Sequence, residues 1–295
     1  MAGLGLALSQ RLNPILMLFF FKFVAMLVFF GVAIYMRALE GRYSQQAILL
    51  LVFVLFCAVL MLLKNPLFER RNSLGPVYLT LMCLFFPVLL KKRVFLAFSL
   101  FFMMVLFPAS SMLTHQYGVF SGNDVSFSDV LSQITGHYND LHYDAWSNGS
   151  TMFELIDEQG YGLGKQLIGT LLFFVPRSLW EDKPVSSGEM VGQYLMENST
   201  LWFSNLSFSL PYELFYDFGA LGVVGAGLTL ALFVASIEKK AKTSAVWQIF
   251  LVYFSFYLYF LMRGPLLPAF AYLVPVVIAC FMSERLFFTG KARSC

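Results

Sequence analysis

The apolar positions of this 295-residue chain come in unbroken runs, not at helical or alternating spacing, which is the pattern of segments that are hydrophobic all round. A bilayer core is crossed by about 20 apolar residues in helical form, because no water is present there to satisfy the backbone. Ile15–Met36, Ala47–Leu63, Val94–Leu113, Tyr212–Ala235, Val246–Met262 and Pro265–Met282 predict six spans, and Leu74–Leu90, interrupted by Pro76 and Pro87, is a shorter seventh. The expected fold is all-α, a polytopic transmembrane helical bundle of about six to seven spans. It divides into N-terminal membrane helices over 1–113, a large external loop over 114–210, and C-terminal membrane helices with a cytoplasmic tail over 211–295. The first run is too long for a cleaved signal peptide and no small-residue cleavage site follows it, so it is expected to remain as an anchor.

Composition agrees with lipid as the surroundings. Hydrophobic residues make up 59% of the chain and charged residues 13%, with a mean hydropathy of +0.72, whereas a soluble domain is about 25% charged. The formal net charge of +3 matters less than its distribution. Between Thr114 and Leu210 lie 11 of the 17 acidic residues, but only Lys165, Arg177 and Lys183 of the 20 basic ones. The short connections carry Lys91, Lys92 and Arg93, then Lys239, Lys240 and Lys242, then Arg285, Lys291 and Arg293. By the positive-inside rule those clusters are cytoplasmic and the acidic loop is external. Charge and hydropathy disagree over the N-terminal part. If Leu74–Leu90 only dips into the membrane, six spans with an internal N-terminus fit Lys64, Arg70 and Arg71; hydropathy favours seven spans with an external N-terminus. Cys57, Cys83 and Cys280 lie inside apolar runs and Cys295 is terminal, which is neither a metal nor a redox pattern.

The loop is too long to be a mere connection, and its interspersed aromatics, Trp146, Phe153, Tyr161, Trp180, Tyr194, Trp202 and Phe203, predict order. Leu167–Val175 is a short apolar run ending at Pro176, expected to form a helix lying in or dipping into the outer interface. The segment from Pro176 to Pro184 follows, bracketed by proline and holding two of the loop's three cations. A guanidinium offers a planar fork suited to phosphate oxygens, and an ammonium a point charge. Arg177 and Lys183 therefore suit a lipid pyrophosphate, or else pairing with Glu181 and Asp182 or with lipid head groups.

The stretch Pro176-Arg177-Ser178-Leu179-Trp180-Glu181-Asp182-Lys183-Pro184 resembles the Wzy-type oligosaccharide repeat-unit polymerases, the family of O-antigen and related polysaccharide polymerases. So does the spacing of ten residues between Arg177 and Gly188. Ser209–Gly222 resembles the family's glutamate, tyrosine, asparagine, phenylalanine and glycine run at the start of a membrane helix, with Asp217 where asparagine is more usual. Arg263-Gly264-Pro265, at the outer end of a span, is a third match. The resemblance covers roughly residues 150–282, in a chain shorter than most of the family.

The resemblance implies a glycosyltransferase joining undecaprenyl-pyrophosphate-linked oligosaccharide units at the outer face of a bacterial inner membrane. It implies no cofactor and a metal-independent reaction, in keeping with the lack of an Asp-x-Asp pair in the loop. Membrane lipids, a chain-length regulator and a flippase are the implied partners, and no nucleic acid. Arg177, Glu213 and Arg263 are the implied catalytic residues; Lys183, Asp217 and Trp180 are the implied substrate-binding ones. Preorganised cations would stabilise charge growing on the leaving pyrophosphate. Glu213 and Asp217, four apart, share one helix face near a helix start. There they serve as cap and dipole partners, or Glu213 serves as general base or as the partner that orients an arginine. His137, Asp140, His142 and Asp144 could supply a base instead, or form a solvated loop. An O-antigen ligase remains an alternative, as does a non-enzymatic flippase or transporter for the same lipid-linked sugars. Transporters show repeats and mid-membrane polar groups, whereas the ionisable residues here gather at span ends apart from Lys22.

Overall fold

The computed structural model describes residues 14–38, 47–64, 71–106 and 145–288, with isolated positions between 108 and 136. Every element among them is helical. They are α1 (Pro14–Ala38), α2 (Ala47–Leu63), α3 (Arg71–Phe85), a single 3-10 turn over Pro87–Leu90, and α4 (Lys92–Phe101), which runs on as a π-helical turn over Phe102–Leu106. Then come α5 (Ala145–Gln159), α6 (Lys165–Leu171), α7 (Ser187–Asn198), α8 (Leu210–Ala241), α9 (Ala245–Arg263) and α10 (Leu266–Phe288).

Among the described residues, four helices are long and apolar enough to cross a membrane: Met17–Tyr35, Leu210–Ala241, Ala245–Arg263 and Leu266–Leu286. This is fewer than the six to seven expected from hydropathy, and the shortfall has local causes. At 17 residues, α2 is about 26 Å long at 1.5 Å per residue, just under the thickness of a bilayer core. The run Leu74–Leu90 stops being α-helical at Phe85, because Pro87 lacks an amide hydrogen and pushes Phe86 out of the helical region, to ψ 82°. The run that begins at Val94 leaves regular α geometry at Phe102, and 109–113 lie outside the described residues.

The bundle core is aromatic. Phe29 and Phe30 of α1 pack with Phe250, Tyr253, Phe254 and Tyr257 of α9 and with Ala269, Val276 and Cys280 of α10. The Phe29 and Tyr253 rings are 5.8 Å apart. Lys22, early in α1, places its ammonium 3.1 Å from the ring centre of Tyr272, early in α10, so the two helices start at the same face of the bundle. At the opposite face Lys240 at the end of α8 sits 4.1 Å over Trp247 of α9 and 4.3 Å over Phe281 of α10, while the Trp247 indole donates to Glu284 at 2.7 Å. Cation–π contact and a charge-assisted hydrogen bond thus tie three helix ends together. Along α8 the residues Leu221, Val224, Leu228 and Leu232 recur at helical spacing and are largely exposed, an apolar stripe suited to lipid.

A second, smaller core lies in the region between the spans. Met152 and Leu155 of α5, Val191 of α7, and Leu206 and Phe208 of the extended segment before α8 are buried together, flanked by Tyr212, Phe215 and Tyr216. The extended segment lies directly on α7 because Gly188 has no side chain: a Cβ there would stand 2.2 Å from the Leu206 carbonyl oxygen.

With the native cysteines replaced, a single cysteine at Asp182 is expected to react with an impermeant maleimide in intact spheroplasts, and one at Glu238 only after lysis. Reaction at position 69 in intact cells means that α3 crosses the membrane; protection there means that α3 only dips into it, as in the six-span arrangement.

Candidate functional site

The site is built on the first two turns of α8. Ser209 is extended (φ −81°, ψ 148°) and proline follows in the first turn, where a missing amide hydrogen costs nothing. Glu213 and Asp217 then fall one turn apart on the buried face, 1% and 0% exposed.

Glu213 uses one oxygen as a staple. Its Oε2 accepts a hydrogen bond from the Ser187 hydroxyl at 2.7 Å and from the Leu266 backbone amide at 2.8 Å, while Oε1 has no partner. Ser187 opens α7 and Leu266 opens α10, so one carboxylate ties the starts of three helices, at the positive end of each helix dipole. Pro265 completes the junction, since a Cβ on Gly188 would meet its ring at 3.0 Å. Arg263, half-buried, closes α9 three residues before the stapled amide.

Asp217 turns to α6. Its Oδ2 accepts from the Leu167 amide at 2.8 Å and its Oδ1 from the Gln166 amide at 3.3 Å, filling the otherwise unsatisfied donors of a helix start. The approach needs Gly162, where a Cβ would lie 2.5 Å from Asp217 Oδ1 and 2.4 Å from the Tyr216 ring. The Gly162 amide donates to the Tyr216 carbonyl at 2.9 Å. That carbonyl lies just before Gly219, whose φ of 64° and ψ of −152° interrupt α8, a conformation that favours glycine.

Lys183 serves the other end of the same segment. Its ammonium donates to the carbonyls of Phe173 (2.7 Å) and Val175 (2.8 Å), and burial, then the nearby charge of Arg177, pull its pKa below the ordinary lysine value. Arg177 Nη1 donates to the Lys183 carbonyl at 3.0 Å, and the residue as a whole is exposed. Among the described residues, neither cation forms an ion pair with Glu181 or Asp182. Trp180 is half-buried in the same turn, its amide donating to the Pro176 carbonyl at 3.2 Å.

The structure therefore brings Glu213 together with the Ser187–Gly188 segment and the Arg263–Pro265 turn, and uses the charged groups of Lys183 and Asp217 on the loop's own backbone. His137, Asp140, His142 and Asp144 lie outside the described residues, as does the side chain of Trp146. Residues that the sequence reading passed over are Ser187, Gly162, Gln166 and Thr170. Gln166 Oε1 and Thr170 Oγ, one turn apart and buried on the inner face of α6, have no partners. Their signal was two polar residues at helical spacing around an apolar run. Among the described residues no group of three His, Cys, Asp or Glu side chains is placed to hold a metal ion. Compared with protein-family models, curated proteins and solved structures, the chain matches none, so its own geometry carries the functional reading.

Asp217→Ala strips the start of α6 and Lys183→Met the turns that follow it, and each is expected to destabilise the loop by about 1.5–3 kcal/mol, the range for a lost hydrogen bond to a charged group. Faster proteolysis between residues 160 and 185 in detergent reports the loss. Asp217→Asn, which keeps one carbonyl oxygen, should fall between wild type and Asp217→Ala.

Proposed function

We propose that the chain is a membrane glycosyltransferase of the Wzy type, polymerising undecaprenyl-pyrophosphate-linked oligosaccharide repeat units at the outer face of a bacterial inner membrane. The observation that supports this is the meeting at Glu213 of three segments, far apart in sequence, that share the resemblance: the loop segment at Ser187–Gly188, the start of α8, and the Arg263–Pro265 turn. In this reading α2, α3 and α4 add crossings to the four membrane-length helices, giving seven with an external N-terminus. The common starting face of α1 and α10 accords with it.

Arg177 is the group we assign to the pyrophosphate. One of its donors bonds to the Lys183 carbonyl and the residue is exposed, and a guanidinium has the planar fork that phosphate oxygens accept in pairs. In the transfer, an acceptor hydroxyl oxygen bonds to the anomeric carbon while the bond from that carbon to the pyrophosphate oxygen breaks. The electron pair leaves with the pyrophosphate, where fixed positive charge lowers the barrier, and the hydroxyl proton leaves to a base. Arg263 stands at the stapled junction as a second cation. Glu213 is too deeply buried to touch substrate in this arrangement, so between the roles left open by sequence we favour the positioning one: it fixes the Arg263 turn through the Leu266 amide.

Two substitutions at position 177 test the grip, read as polymer-length ladders from cells at matched membrane abundance. Arg177→Lys should fail nearly as badly as Arg177→Ala and accumulate single-unit product, since a lysine lacks the fork. A normal ladder with Arg177→Ala removes this mechanism.

Glu213→Gln retains an acceptor oxygen for Ser187 and Leu266 and should keep much of the polymer, whereas Glu213→Ala should lose it. Complete loss in Glu213→Gln at normal abundance would instead make Glu213 the proton acceptor.

A further inference from the structure

The segment from Leu163 to Leu179 has its polarity reversed. On α6 the buried residues are Gln166, Gly169 and Thr170, with the two polar ones 4% and 1% exposed, whereas Ile168 and Leu171 are each 50% exposed. Phe174 is likewise exposed, and Leu163 and Leu179, on the turns either side, reach 82% and 81%. A helix that hides its polar face and presents its apolar face is mismatched to water and matched to hydrocarbon.

Both backbone ends of this segment are provided for as a lipid environment demands. Exposed amides and carbonyls are not tolerated in hydrocarbon unless the protein satisfies them. Asp217 takes amides at the start of α6, and Lys183 takes the carbonyls of Phe173 and Val175 where the run ends. The segment is also continuous with the spans. Phe173 packs 6.2 Å from Phe19 of α1 and 6.2 Å from Phe270 of α10, and α6 lies against α10.

We infer that residues 163–179 form a re-entrant hairpin inserted among the acyl chains of one leaflet, with Ile168, Leu171 and Phe174 as its lipid-facing surface. Its apolar stretch is flanked by Lys165 and Arg177, both exposed, so each end returns to the same membrane face and the cations lie at head-group level. The helix is about 10 Å long at 1.5 Å per residue, which confines the hairpin to a single leaflet, less than half of a hydrocarbon core about 30 Å thick. This goes beyond the proposed activity and does not depend on it.

The test uses the full chain, purified and reconstituted into phosphatidylcholine vesicles with or without bromine on the acyl chains. A fluorescent bimane is attached to a single cysteine at Leu171, and in a second protein at Ile168. A label at Leu228, on the lipid stripe of α8, gives the response of a hydrocarbon site, and one at Glu181 that of a water-facing site. Labels at Leu171 and Ile168 are expected to be quenched by brominated chains as strongly as the Leu228 label and to resist aqueous iodide. Quenching by iodide at the level of Glu181, with no effect of bromine, would overturn the inference and place the hairpin in water. Protection from both quenchers, with disulfide formation between two chains at Leu171, would overturn it in favour of an interface between copies. Either failure leaves the ladder assays at Arg177 unaffected.

Discussion

A helix of seven residues does not hold itself together in water or in lipid, because too few of its hydrogen bonds are internal to offset the ordering of its backbone. α6 is held from outside: a carboxylate from α8 takes the free amides at its positive end, and an ammonium from the following loop takes the carbonyls of Phe173 and Val175 in the turns just after it. The rest of the candidate site is arranged around that clamp. Arg177 rests on the carbonyl of the same lysine, and Glu213 sits one turn from the same aspartate.

The first two turns of α8 therefore carry two loads. Asp217 holds the loop helix, and Glu213 joins the starts of α7 and α10. Because both carboxylates project from one face, they register the loop against the end of the α9–α10 hairpin, alongside the direct contact of Phe173 with Phe270. That registration gives Arg177 and Arg263, far apart in sequence, a common frame of reference.

Much of this was legible in sequence. The apolar runs mark α1, α8, α9 and α10, Pro176 marks the end of the run that contains α6, and the glutamate and aspartate four apart mark a single face of α8. What sequence did not reveal is the use to which the charges are put. A lysine beside an arginine suits a phosphate as well as it suits two backbone carbonyls, and only the path of the chain decides between them. The partner of Asp217 lies some fifty positions away, beyond the reach of any helical spacing rule. The run Leu74–Leu90 falls short of a membrane-length helix for a nearer reason: hydropathy sums across Pro87, whereas the α-helix stops before it.

The break at Gly219 has a mechanical consequence. α8 would be about 48 Å long if it ran straight through its 32 residues at 1.5 Å each, well beyond a hydrocarbon core, and a rigid rod of that length would pass every change of tilt to its upper end. The break at Gly219 separates an outer piece, tied to α6, α7 and α10, from a shaft that carries the exposed leucine stripe. Helices answer changes in bilayer thickness by tilting. Here the break gives the turns that carry Glu213 and Asp217 a direction of their own, so the geometry of the site is not dictated by the line the shaft takes through the membrane.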